Sequence, residues 1–205
     1  MKKICFMTIS VFLFVLLTAC ATNKTYSSTA KKHIGNLVVS YDEFENNTTV
    51  NINNPNIVNL SNAHIYPYFM YSNNVISYRI TFDLNMTGKF NKIIFITEKG
   101  KYKITFDSSN QNTRERIRNN PFSESTIGDY RISEEQFKLF GEIFNSNNIK
   151  VAFYTVDNTV SEQTPYGNRL KDSYNEFLKY YQENNLSAFT DASSTRGSDI
   201  KIVKE

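Results

Sequence analysis

The chain of 205 residues contains no tryptophan, two cysteines, two histidines, four prolines and seven glycines. Each scarcity removes a class of protein. So few Gly and Pro exclude collagen-like and proline-rich disordered chains. The glycines are scattered singly, so no glycine-rich phosphate loop is present. His33 and His64 lack metal-like spacing, and a Ser/His/Asp triad would have to use His64 without any Gly-x-Ser-x-Gly elbow. Net charge is only +3, too small to argue for nucleic acid. What remains is an Asn-rich chain, 40% hydrophobic and 21% charged, long enough for one domain with a real core.

The longest apolar run is at the N-terminus. Lys2 and Lys3 precede residues 4–17, in which only Thr8 and Ser10 are polar. Fourteen residues are short for a membrane helix, which needs about 20, and right for the apolar part of a signal. The run closes with Leu17-Thr18-Ala19-Cys20. This resembles the lipobox of bacterial lipoproteins at all four positions. The resemblance implies cleavage before Cys20, a diacylglyceryl group on its sulfur and an acyl chain on its nitrogen. Two or three chains hold where one is marginal, because each buried CH₂ contributes about 0.8 kcal/mol. It implies a lipid bilayer as partner and an envelope location: the outer membrane where there are two membranes, since Ala21 rather than Asp follows the cysteine, and otherwise the outer face of the cell membrane. Cys5 is then lost with residues 1–19. Cys20 becomes the one remaining cysteine, so neither a disulfide nor a His/Cys metal cage can form. Lys2 and Lys3 go too, and the balance of 21 bases against 20 acids leaves +1.

Residues 20–33 are small and polar and read as a lipidated cysteine on a flexible tether. A single β-rich domain is expected over 34–185. Period-two strands are expected at 37–41 and 48–52. A short apolar piece lies at 57–60. The aromatic segment 64–71 carries Pro67 and reads as an edge strand or a bulge. Residues 75–86 alternate throughout, giving a long strand with one wet face. Residues 92–97 are apolar on both faces and read as a central strand, followed by a hairpin at Glu98-Lys99-Gly100-Lys101.

Residues 107–128 are long and polar, either functional, mobile or hiding a short strand near 114–118. Ser133 and Gln136 spell a capping box before the apolar stripe Phe137, Phe140, Ile143 and Phe144. A strand over 149–156 precedes a second helix starting at Thr164-Pro165 or near Asn168, with Leu170, Tyr174, Phe177, Leu178 and Tyr181 on one face. Residues 186–205 read as a loose tail with a possible last strand at 200–203. The order predicts an α+β, mostly β fold: an antiparallel sheet or β-sandwich with one or two packed helices.

The segment Tyr41-Asp42-Glu43-Phe44 through the Thr-rich Thr48-Thr49-Val50 is similar to the opening of certain uncharacterised bacterial secreted proteins. The likeness runs in order over residues 40–157, through Tyr130-Arg131-Ile132-Ser133 and Lys150-Val151-Ala152-Phe153. It implies a β-rich domain with a packed helix and carries no catalytic residue.

Candidate chemistry is sparse. No catalytic residue, cofactor or metal is expected. Asp42, Glu43, Glu45 and Asp83 are carboxylates that a hydrolase could pair across a cleft of about 5–9.5 Å, or else solvated surface. Arg114, Arg116 and Arg118 share a face if extended and could grip an anion, or else belong to a solvated loop. Tyr66 and Tyr68 share a strand face and could stack on a sugar, or else pack in the sheet. The expected role is therefore non-enzymatic binding or structure in the envelope, with an envelope protein or glycan as partner. An envelope hydrolase and a small-ligand binder are the rivals.

Overall fold

The computed structural model describes residues 29–52, 63–84, 88–115, 124–156, 160–163 and 169–205. The period-two segments form strands: β1 Thr29–Ile34, β2 Leu37–Asp42, β3 Asn47–Ile52, β4 Ala63–Ser72, β5 Val75–Leu84, β6 Phe90–Thr97 and β7 Gly100–Phe106. They continue with β8 Gln111–Glu115, β9 Glu124–Ile132, β10 Lys150–Thr155, β11 Val160–Gln163, β12 Thr190–Asp191 and β13 Ile200–Lys204. Among the described residues there are three helices, α1 Glu134–Phe144, α2 Arg169–Glu183 and the single turn α3 Ser193–Arg196. The larger sheet runs β1-β2-β3-β4-β5-β9-β8, and the smaller runs β11-β10-β6-β7-β13. Pairing within both is antiparallel, except that β12 joins β5 in parallel. The fold is α+β and mostly β, with a sandwich-like arrangement of the sheets.

Alternation in β5 decides the layering. Ile76, Tyr78, Ile80, Phe82 and Leu84 are buried, while Ser77, Arg79 and Thr81 stay half-exposed on the other face. From the smaller sheet, Phe90, Ile93, Phe95, Tyr102, Ile104 and Phe153 point back toward them. The helix α1 is wedged between the sheets: Phe140 sits 6.4 Å from Phe82 of one and 6.3 Å from Phe95 of the other, ring centre to ring centre. The α2 helix covers the remaining inner face, with Phe177 5.7 Å from Phe69. Aromatic rings thus recur at the contact between layers, each burying about 150–250 Å².

Local signals fix the element ends. The α1 helix starts at the capping box: Ser133 Oγ accepts from the Gln136 backbone N–H, and Gln136 Oε1 accepts from the Ser133 N–H. The β4–β5 hairpin turns on Asn73-Asn74, with φ of 48° and 62°. A type I′ turn needs positive φ at both central residues, and asparagine tolerates it without glycine. Gly141 has a different reason. A Cβ there would meet the Tyr174 ring, so glycine lets α1 and α2 approach at that point.

Four expectations need correction. Residues 29–33, read as tether, belong to β1, which pairs with β2 from Thr29↔Asp42 to Ile34↔Leu37. The edge position explains the misreading, because Lys31, Lys32 and His33 are exposed and show no apolar alternation. The β4 strand is internal, between β3 and β5, although its pairing with β3 stops at Phe69, before Pro67. A proline lacks the N–H that a ladder on both sides would use.

The β6 strand is central, but only one of its faces is buried; Ile96 is 47% exposed. Finally, 186–205 is not loose. It forms a 3₁₀ turn at Leu186–Ala188, then β12, α3 and β13. Side-chain to backbone bonds tie it to α1 and β9 in both directions. Asp191 Oδ2 accepts from the Glu134 N–H at 2.8 Å, Gln136 Nε2 donates to the Ile200 carbonyl at 3.0 Å, and Asp199 Oδ2 accepts from the Arg131 N–H at 2.8 Å. The expected piece at 57–60 and the possible helix start at 164–168 lie outside the described residues, as do Cys20 and residues 1–28.

Candidate functional site

The polar face of the larger sheet gathers the most organised side chains. Register sets three rows across it. Tyr68, Arg79 and Arg131 are cross-strand neighbours, as are Tyr66, Thr81 and Asp129, and then His64, Asp83 and Ile127. Asp129 is the hub. Arg79 Nη2 donates to its Oδ2 at 2.7 Å and Arg79 Nε at 3.1 Å. Tyr68 Oη donates to the same oxygen at 2.9 Å, and Thr81 Oγ1 donates to Oδ1 at 3.2 Å. Arg79 Nε also lies 2.9 Å from Tyr68 Oη. The acid, the base and the phenol therefore lock one another on three adjacent strands.

The electrostatics follow from this geometry. Burial pushes the Tyr68 hydroxyl up to about 12, and the adjacent Asp129 charge adds to the effect. Burial by itself would lower the Arg79 guanidinium, but hydrogen bonding and charge from Asp129 outweigh it and hold it above its ordinary value. Both groups are thus fixed in one form at neutral pH: a neutral phenol that donates, and a permanent cation. One row along, Arg131 makes a separate set. Its Nη2 donates to Asp199 Oδ1 at 3.1 Å and its Nε to the Gly197 carbonyl at 2.9 Å.

The sequence candidates fare unequally. Tyr68 is part of this cluster. Tyr66 occupies the register position opposite Thr81, and Arg114 lies on β8 opposite Ser125, at the far side of the same sheet. Arg116 and Arg118 lie outside the described residues. Arg79, Thr81 and Asp129 were missed. The signal was present in part, since the polar positions of the alternating β5 had to lie on the open face.

The carboxylates divide between two places on the sheet. Asp42 Oδ1 accepts from the Phe44 and Glu45 N–H groups, and Glu45 Oε2 accepts from Asn47 Nδ2, so these acids shape the β2–β3 turn. Asn46 reaches Asn73 at 3.5 Å, which sets this turn beside the β4–β5 turn. Asp83 is near the other end of β5, three strands from β2, roughly 14 Å across the sheet alone. It is also buried, at 8%, rather than on a wet surface. Asp83 is therefore not paired with the acids of the β2–β3 turn.

Two other features stand apart. A small cleft of about 150 Å³ lies between the β1–β2 hairpin and α2, lined by Ile34, Leu37, Glu176, Lys179 and Tyr180. Glu176 there accepts from the Asn36 N–H at 2.6 Å and from its Nδ2 at 2.9 Å, which pins the hairpin to the helix. Among the described residues no group of three or more His, Cys, Asp or Glu is placed to hold a metal ion, and no helix is long and apolar enough to cross a membrane. No family model, curated protein or solved structure matches this chain.

Proposed function

We propose that this chain is a bacterial envelope lipoprotein, anchored through an acylated Cys20, whose β-rich domain works by binding rather than by catalysis. The Leu-Thr-Ala-Cys run after a basic start and a short apolar segment supports the anchor. The observation that carries the binding role is the Tyr68–Arg79–Asp129–Thr81 lock on an open sheet face. Its side chains are held before any ligand arrives, so little rotamer entropy is lost on binding. A phenol and a guanidinium beside a carboxylate suit a partner rich in hydroxyl or amide groups, such as an envelope glycan or a protein strand.

Fractionation of cells carrying Cys20→Ser tests the anchor. An unprocessed precursor, or loss from the membrane fraction, is expected; unchanged processing and retention would remove the lipoprotein reading. Thermal unfolding with soluble envelope glycan fragments, compared between the parent and Tyr68→Phe, tests the site. A ligand-dependent rise in midpoint that shrinks in the variant is expected. Turnover of envelope polymers that vanishes on replacing a single carboxylate would instead favour the hydrolase.

A further inference from the structure

The outer face of the smaller sheet is built differently. Alternation fixes its occupants, because Ile93, Phe95, Tyr102, Ile104, Val151 and Phe153 take the inner face. Three cross-strand rows remain outside. The first is Lys201, Thr105, Lys92 and Tyr154. The second is Val203, Lys103, Ile94 and Ala152. The third is Lys101, Ile96 and Lys150. Each row therefore interleaves lysine with an apolar side chain. Ile96 is 47% and Val203 42% exposed. Lys92 Nζ lies 3.8 Å from the centre of the Tyr154 ring, so it leans on an aromatic.

Acids enter at the margins. Glu205 pairs with Lys101, Glu98 in the β6–β7 turn accepts from the Asn147 and Asn148 N–H groups, and Glu162 is on the edge strand at the register position opposite Ala152.

The geometry points to this face as a docking surface for an anionic lipid bilayer. Three features favour a bilayer over a specific anionic ligand. The face is a sheet surface without a built pocket among the described residues. Its cations are all lysine, a hydrated point charge, whereas Arg79 and Arg131, with their planar donor forks, are committed to aspartates on the other sheet. Aliphatic side chains stand between the charges, and these gain by entering the headgroup region. Each lysine near an anionic surface adds about fivefold to binding, so Lys92, Lys103, Lys150 and Lys201 act strongly together, while Lys101 is offset by Glu205. The proposal shares with the lipoprotein reading only a nearby membrane and does not depend on acylation.

The test is trace acetylation of lysines, read by mass spectrometry, on the full chain with phosphatidylcholine vesicles with and without phosphatidylglycerol. Lys103, Lys150 and Lys201 should be modified several-fold more slowly with the anionic lipid, while Lys31, Lys32 and Lys179 should not change. The protection should vanish in about 1 M salt, where the screening length is about 3 Å. In the double variant K103E/K201E, with an unchanged thermal midpoint, Lys150 should lose its protection too. Equal rates in both vesicles would overturn the proposal, as would protection that persists in salt or in the variant. Repeating the measurement on Cys20→Ser separates the two readings: protection retained without the anchor supports the face by itself, and protection lost with the anchor overturns it.

Discussion

Arg79 and Arg131 stand directly opposite each other on β5 and β9, two cations in one cross-strand pair. Like charges so placed repel, and the pair persists because each has its own aspartate. Asp129 holds Arg79 at 2.7 Å and Asp199 holds Arg131 at 3.1 Å. The two ion pairs are partly exposed, with side-chain accessibilities of 23% and 38% for the first and 20% and 30% for the second.

Removing one aspartate should therefore cost more than its own contact. Asp129→Asn leaves Arg79 facing Arg131 with one neutralising charge gone. A double-mutant cycle on Arg79 and Asp129, read by urea unfolding, should give a coupling of about 1 kcal/mol at low salt and less at high salt. A coupling near zero would show that solvent screens the pair completely.

Gly141→Ala should destabilise the domain by about 1–3 kcal/mol, against the usual gain from replacing glycine in a helix. The added methyl meets the Tyr174 ring, and α1 and α2 must separate. A raised thermal midpoint would show that the helices are not in close contact there.

Asp191→Ala should cost about 1 kcal/mol, the scale of a lost N-cap. Its carboxylate accepts from the Glu134 N–H and from Ser193, tying the C-terminal segment to the first turn of α1. Hydrogen exchange should speed up both at Glu134 and across 190–196. A change confined to one of the two would mean that they are not coupled.

High pH should unfold the protein through its phenols. Burial raises Tyr68 and Tyr174 to about 12, with the charges of Asp129 and Glu142 adding in turn, and raises Tyr78, Tyr130 and Tyr180 further in the same direction. An unfolded tyrosine titrates near 10. The folded state binds these protons more tightly, so the contribution is complete below about pH 10 and is lost as pH rises through about 12. Tyrosinate absorption should lag the unfolded reference and then rise together with loss of structure. A titration that matches free tyrosine would contradict this.

The elements that were legible in the sequence are those whose cause is local. The alternation of 75–84 and the Ser133–Gln136 box each lie within a dozen residues. The Arg79–Asp129 lock was not legible, because it joins residues 50 positions apart through register. The order in 186–205 was hidden for the same reason: Asp191, Ser198 and Asp199 look like loop residues until their partners on α1 and β9 are known. In β6, apolar composition suggests burial on both faces, whereas Ile94 and Ile96 look outward among lysines.

The closing strand of the smaller sheet also has a consequence in time. β7 pairs with β13, and Lys101 bonds to a residue 104 positions further along. Until that segment is made, one edge of β7 offers unpaired N–H and C=O groups to any neighbouring chain. Such long closures are slow, because loop entropy is lost before the contacts form. The chain is thus most exposed to self-association while its smaller sheet is still one strand short. Variants that weaken β13 should show their effect first in yield and aggregation, and only later in equilibrium stability.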